Sequence, residues 1–136
     1  MIRIIEASGR EVELNLSQIS SDALRTIVGG WLEFVSVLDE ATNRPFSMIV
    51  NETGVVDKLP RNQKATDIYL AYSRRRFPGH SNPAKAMAEE HKRSAKERFG
   101  ADLVYIEFEG HSSDPYIAGD VVLIPVPTIA LDSVIV

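Results

Sequence analysis

Two polar turns carry the side chains best suited to holding a ligand. Asn51 and Glu52 open the run Asn51-Glu52-Thr53-Gly54, and Arg61 and Asn62 close Leu59-Pro60-Arg61-Asn62. Asparagine amides and an arginine fork make directional hydrogen bonds to a carboxylate, a phosphate or a base edge. The same residues have an architectural reading, because asparagine builds turns and caps helices. A second group is basic: Arg74, Arg75, Arg76, Lys85, Lys92, Arg93, Lys96 and Arg98, with Tyr69, Tyr72, Phe77 and His80 interleaved. Cations of this kind contact phosphates while rings stack on single-stranded bases. Glu89, Glu90 and Glu97 dilute that charge, so a solvated helix or a protein-contact face competes with nucleic-acid binding.

The remaining chemistry is sparse. The histidines are His80, His91 and His111. His80, His111 and Asp114 are a conceivable metal set, but their spacing matches no ligand motif. Ser112 or Ser113 with His111 and Asp114 are the residue types of a hydrolytic triad. Neighbours within one loop do not reach all three required orientations, and there is no nucleophile elbow. Gly29-Gly30 is not a phosphate loop, since it lacks the G-x-x-x-x-G-K pattern and follows a helix rather than opening one. The chain has no cysteine, which excludes thiol catalysis, disulfides and cysteine-ligated metals. No catalytic residue, metal or cofactor is assigned.

The elements that must position these residues follow from composition and periodicity. The chain has 136 residues, 44% of them hydrophobic, and a formal net charge of −4. Residues 1–136 fit one domain able to bury a core without cross-links. The negative balance does not attract nucleic acid globally. No apolar run approaches a membrane span, and the N-terminus reads as a strand rather than a signal peptide, so no membrane partner and a cytoplasmic location are expected.

Ile2, Ile4 and Ile5, a Ser8-Gly9 turn, and Val12, Leu14 and Leu16 in alternation predict a β-hairpin over 1–16. Ser20 or Ser21 caps a short helix that ends at Gly29 or Gly30. Trp31 to Leu38 is a strand apolar on both faces, expected at the centre of the sheet, and Phe46 to Val50 is its return partner. Asn62 or Thr66 caps a helix that closes on Arg74-Arg75-Arg76, cations at the favoured helix end. Asn82-Pro83 starts a longer helix to Phe99. Its apolar stripe (Ala84, Met87, Ala88, His91, Ala95 and Phe99) is thin, which places it at the surface or against a partner. Leu103 to Phe108 is a further strand, and Val121 to Ile124 an interior one bounded by Pro125. The tail 128–136 is apolar enough to pack as an extended strand or to dock on a second subunit. The expected fold class is α+β: a mixed, mostly antiparallel sheet, curved or partly barrel-like, with two to three helices.

The combination of Ile27-Val28-Gly29-Gly30, the aromatic strand Trp31–Val35, Val50-Asn51-Glu52-Thr53-Gly54, Leu59-Pro60-Arg61-Asn62 with Ala65, and Ile117-Ala118-Gly119-Asp120-Val121-Val122 resembles DUF3846, a family of small uncharacterised bacterial and phage proteins. The resemblance covers roughly residues 1–72 and 117–124, and makes about 73–116 a family-variable insertion. It implies a phage, plasmid or actinobacterial accessory gene, and no reaction or ligand. The resulting expectation is a non-enzymatic accessory or protein-interaction protein, with self-association or another protein as partner. A nucleic-acid-binding module and a small-ligand-binding protein or enzyme are the alternatives.

Overall fold

The computed structural model describes residues 1–16, 18–39, 42–99 and 116–126, with side chains of α3 described as far as Glu90 and at Arg93. Eight elements follow in chain order: β1 (Ile2–Ile5), β2 (Glu11–Leu14), α1 (Ser21–Val28), β3 (Leu32–Leu38), β4 (Pro45–Asn51), α2 (Gln63–Arg76), α3 (Pro83–Phe99) and β5 (Val121–Pro125). The five strands form one open sheet in the order β2-β1-β5-β4-β3. Every pairing is antiparallel. The α+β expectation holds, with three helices. Among the described residues the sheet is neither mixed nor closed into a barrel.

Strand alternation divides the core into two layers. Ile2, Ile49, Val122 and Ile124 point to one face, where Leu24 and Val28 of α1 cover them. Ile5, Val35, Val37, Met48, Val50, Val121 and Leu123 point to the other, beneath Ala65 and Tyr69 of α2. Burial pushes the Tyr69 phenol far above its ordinary range. The sequence expectation placed Trp31–Leu38 at the sheet centre. The strand instead begins at Leu32 and is an edge strand among the described residues. Its two apolar faces report a helix on each side of the sheet, not a strand on each side. The strand at the centre is β5, whose continuous run Val121–Ile124 is buried throughout.

Local signals set the helix limits. The Ser20 hydroxyl accepts from the Ala23 N–H at 3.1 Å, and Gly29 ends α1 in the left-handed region at φ 81°, where a Cβ would be strained. Asn62 caps α2 by accepting from the Ala65 N–H at 3.0 Å. Asn82 does the same for Lys85 at 3.1 Å. α3 packs on α2, and Ala84, Met87 and Ala88 are buried in the same core as Tyr69. The expectation placed this stripe at the surface or against a partner; at Ala84, Met87 and Ala88 the chain's own α2 covers it. The stripe is thin because small residues bring the two helices close. The predicted strand Leu103–Phe108, His111, Ser112, Ser113, Asp114 and the tail 128–136 lie outside the described residues. No helix among the described residues is long and apolar enough to cross a membrane.

Candidate functional site

Both asparagines of the polar turns are built into one end of the sheet. Asn62 is completely buried. Its amide nitrogen donates to the carbonyls of Ile5 and Gly119, each at 2.9 Å, while its oxygen caps α2. Its backbone N–H donates to the Ile117 carbonyl at 2.8 Å. One side chain thus ties β1, the approach to β5 and the start of α2. Asn51, also buried, donates to the Val28 carbonyl at 3.1 Å and accepts from the Thr53 N–H at 2.9 Å. It satisfies an end carbonyl of α1 and shapes the following turn. A Cβ on Gly30 would stand 2.7 Å from the Asn51 amide nitrogen, so the second glycine is required by contact with this asparagine. These amides are spent on the fold.

Arg61 and Glu52 differ from the asparagines. Arg61 is exposed, its guanidinium 5.2 Å from the centre of the Tyr116 ring. The Glu52 carboxyl is held above its ordinary value, first by desolvation and then by the nearby charge of Glu33. Arg61, Glu52 and the asparagines share one end of the sheet, where the asparagine amides are already bonded to backbone groups.

The basic group is dispersed by its own contacts. Arg74, Arg75, Arg76, Lys85 and Arg93 are exposed. Arg75 donates to the Asn43 side chain at 2.8 Å, and Arg76 pairs with Glu90 at 2.7 Å. The side chains of Lys92 and Lys96 lie outside the described residues. His80 accepts from the Asn82 N–H through Nδ1 at 3.0 Å and so shapes the turn before α3. Among the described residues no three acidic or histidine side chains gather as a metal site.

A cleft of about 430 Å³ opens between α2 and the sheet. Its floor is Ile5, Leu123, Phe46 and Val37, all from the α2 face of the strands. Its wall is Lys64, Asp67, Ile68 and Ala71, spaced as one stripe of a helix. The opposite stripe of α2, through Ala65, Tyr69 and Ser73, is buried in the core. The helix therefore leaves part of the sheet face uncovered. Arg3 leans over the Phe46 ring, 5.9 Å from its centre. Glu11 lies between Arg3 Nη1 at 3.7 Å and Lys64 Nζ at 2.9 Å. Leu38 and Asp39 complete the lining at the β3 edge. The arrangement is an apolar trough with a bridged trio of charges at one end, suited to holding an amphipathic molecule.

Sequence reading missed Arg3, Glu11 and Lys64. A visible signal was the charged Arg3 within the otherwise apolar Ile2–Ile5 strand. The link to Lys64 was not visible, because Glu11 and Lys64 are 53 positions apart and meet only once α2 lies on the sheet. Fold and cleft together define a small α+β domain with helices on both faces of an antiparallel sheet and an open trough beside one of them. Comparison with protein-family models, curated proteins and solved structures returns no match.

Proposed function

We propose that this protein is a binding protein, without catalysis of its own, that takes a small amphipathic molecule into the cleft beside α2. The observation that carries this reading is the cleft itself: an apolar floor, charged groups confined to the rim, and a volume of about 430 Å³, within the range of small-molecule sites. The lining charges are held in ion pairs or hydrogen bonds rather than poised on a nucleophile, which favours binding over reaction. Kinship with DUF3846 is inferred from the glycine and asparagine motifs and is compatible with an accessory role.

The test uses the neutral dye N-phenyl-1-naphthylamine, which brightens on entering an apolar site. The expected result is saturable fluorescence gain that is lost in Ala71→Trp, a variant that fills the cleft from its wall while keeping the helix. An unchanged circular dichroism spectrum checks that this variant is folded. No saturable gain, or a gain that Ala71→Trp leaves intact, overturns the reading.

A second reading, protein interaction, rests on Trp31. The residue is 69% exposed, with the Arg25 guanidinium 5.5 Å from the ring centre. Exposed tryptophan beside arginine is the composition of an interface anchor. Nucleic-acid binding through Arg74–Arg76 has less support, since Arg75 and Arg76 are already engaged and the chain is net negative.

A further inference from the structure

Glu11 is the informative residue of the cleft. It stands on β2, a four-residue strand at the edge of the sheet, and points to the α2 face, as its pairing with Ile5 requires. Its two carboxylate oxygens face two cations on two other elements: Oε1 lies 3.7 Å from Arg3 on β1, and Oε2 accepts from Lys64 on α2 at 2.9 Å. Arg3 and Lys64 thus form a two-cation seat at the end of an apolar trough, and the seat holds a carboxylate supplied by the chain.

We propose that this seat is the recognition site for the carboxylate of a small amphipathic monoacid, whose apolar body lies on Phe46 and Leu123, and that Glu11 is its internal competitor. The inference rests on the reading of the cleft as a binding site. Displacement is feasible because the trio is partly exposed, with side-chain accessibilities of 31% for Arg3, 38% for Glu11 and 49% for Lys64. Partly solvated pairs are weak, and the Arg3 contact is long. A ligand acid satisfies the same donors while also covering apolar surface, which Glu11 does not do. The other acids of the cleft have their own contacts: Asp67 accepts from Gln63 at 2.7 Å, and Asp39 accepts from Thr42 at 2.9 Å at the opposite edge of the sheet. The cations that line the cleft are Arg3 and Lys64, so the anionic head is directed to that end.

The experiment compares 2-naphthoate with its neutral isostere 2-naphthamide, by calorimetric titration on the full chain. Glu11→Gln is expected to tighten naphthoate about tenfold, because it removes both the competing carboxylate and its repulsion of a second anion at the same seat, and to leave naphthamide within about twofold. Adding Arg3→Gln to that variant is expected to erase the gain. Naphthoate affinity should also fall as salt is raised, while naphthamide affinity should not. If naphthamide binds and is blocked by Ala71→Trp but Glu11→Gln shifts both compounds alike, the carboxylate seat is overturned and the cleft stands. If neither compound binds, the binding reading of the cleft falls and the seat falls with it.

Discussion

The two polar regions of this molecule use similar residue types to opposite ends. At the asparagine end of the sheet, Asn62 and Asn51 are buried and their amides are committed to backbone groups of five different segments. At the cleft, Arg3, Glu11 and Lys64 are partly exposed and bridged to one another. A buried amide that satisfies orphan carbonyls cannot be removed without leaving those groups unpaired in the core. An exposed ion pair exchanges its partner for water at little cost. The asparagine turns are therefore where the fold is locked, and the charges that can change partners lie elsewhere, at the cleft.

The largest effect that separates the two regions is expected for Asn62→Ala. It strands the Ile5 and Gly119 carbonyls and uncaps α2. Losses of this kind sum to about 2–4 kcal/mol. Urea unfolding checks it, and a change below about 1 kcal/mol would contradict the reading of this residue as a lock. Next comes Gly30→Ala, whose new methyl would sit 2.7 Å from the Asn51 amide nitrogen. Either the amide leaves the Val28 carbonyl or the α1–β3 junction shifts, at about 1–3 kcal/mol. The double variant with Asn51→Ala should cost less than the sum of the singles, because the clash is then gone. Additive losses would show that Gly30 serves some purpose other than admitting Asn51. By contrast, Glu11→Gln at the cleft should stay within about 0.5 kcal/mol of the parent in the same unfolding assay.

The contrast also explains what was legible in the sequence. Short-range signals carried far: the Ser20 cap, the Gly29 stop, the Asn62 cap and the Asn82-Pro83 helix start each depend on residues within four positions. The period-2 pattern of Val12, Leu14 and Leu16 placed the first hairpin. What failed was assignment that depends on tertiary neighbours. The β3 strand looked central because helices cover both its faces, and sequence periodicity cannot distinguish a covering helix from an adjacent strand. The α3 stripe looked unpartnered because alanines contribute little hydropathy, although Ala84 and Ala88 allow a close approach to α2. The polar turns attracted a ligand reading because asparagine serves turns, caps and ligands alike, and only the identity of its partners decides among them. The cleft escaped notice because residues of all five strands and of α2 assemble it, and no one of these elements carries a motif.

The smallest expected effect tests an intermediate case, Glu52, which follows Asn51 in the locked turn but keeps a partly exposed carboxyl. Desolvation and the charge of Glu33 both raise its pKa above the ordinary glutamate value. Glu33 is itself buried, at 6% exposure, and faces the α2 side of the sheet opposite Val50, so its influence on Glu52 is fixed by strand register. The sign follows from proton counting. Below about pH 4 the group is protonated in both folded and unfolded chains, and it contributes no dependence. As pH rises, the unfolded chain releases the proton first, and the folded chain must then release it into a less favourable site. Stability from this group is thus present in acid and lost as pH rises through the raised value. Glu52→Gln removes that loss. Its melting temperature should match the parent near pH 4 and exceed it slightly at about pH 7, by the equivalent of under about 0.5 kcal/mol given the solvent screening. Because Glu52 reaches the fold mainly through its backbone N–H on the Trp31 carbonyl, at 2.9 Å, the substitution leaves the turn intact and isolates the charge. A variant less stable than the parent at neutral pH would mean that the carboxylate is a structural acceptor, placing Glu52 with Asn51 and Asn62 among the locks. The expected gain would place it with Glu11, as a charge the fold tolerates rather than requires.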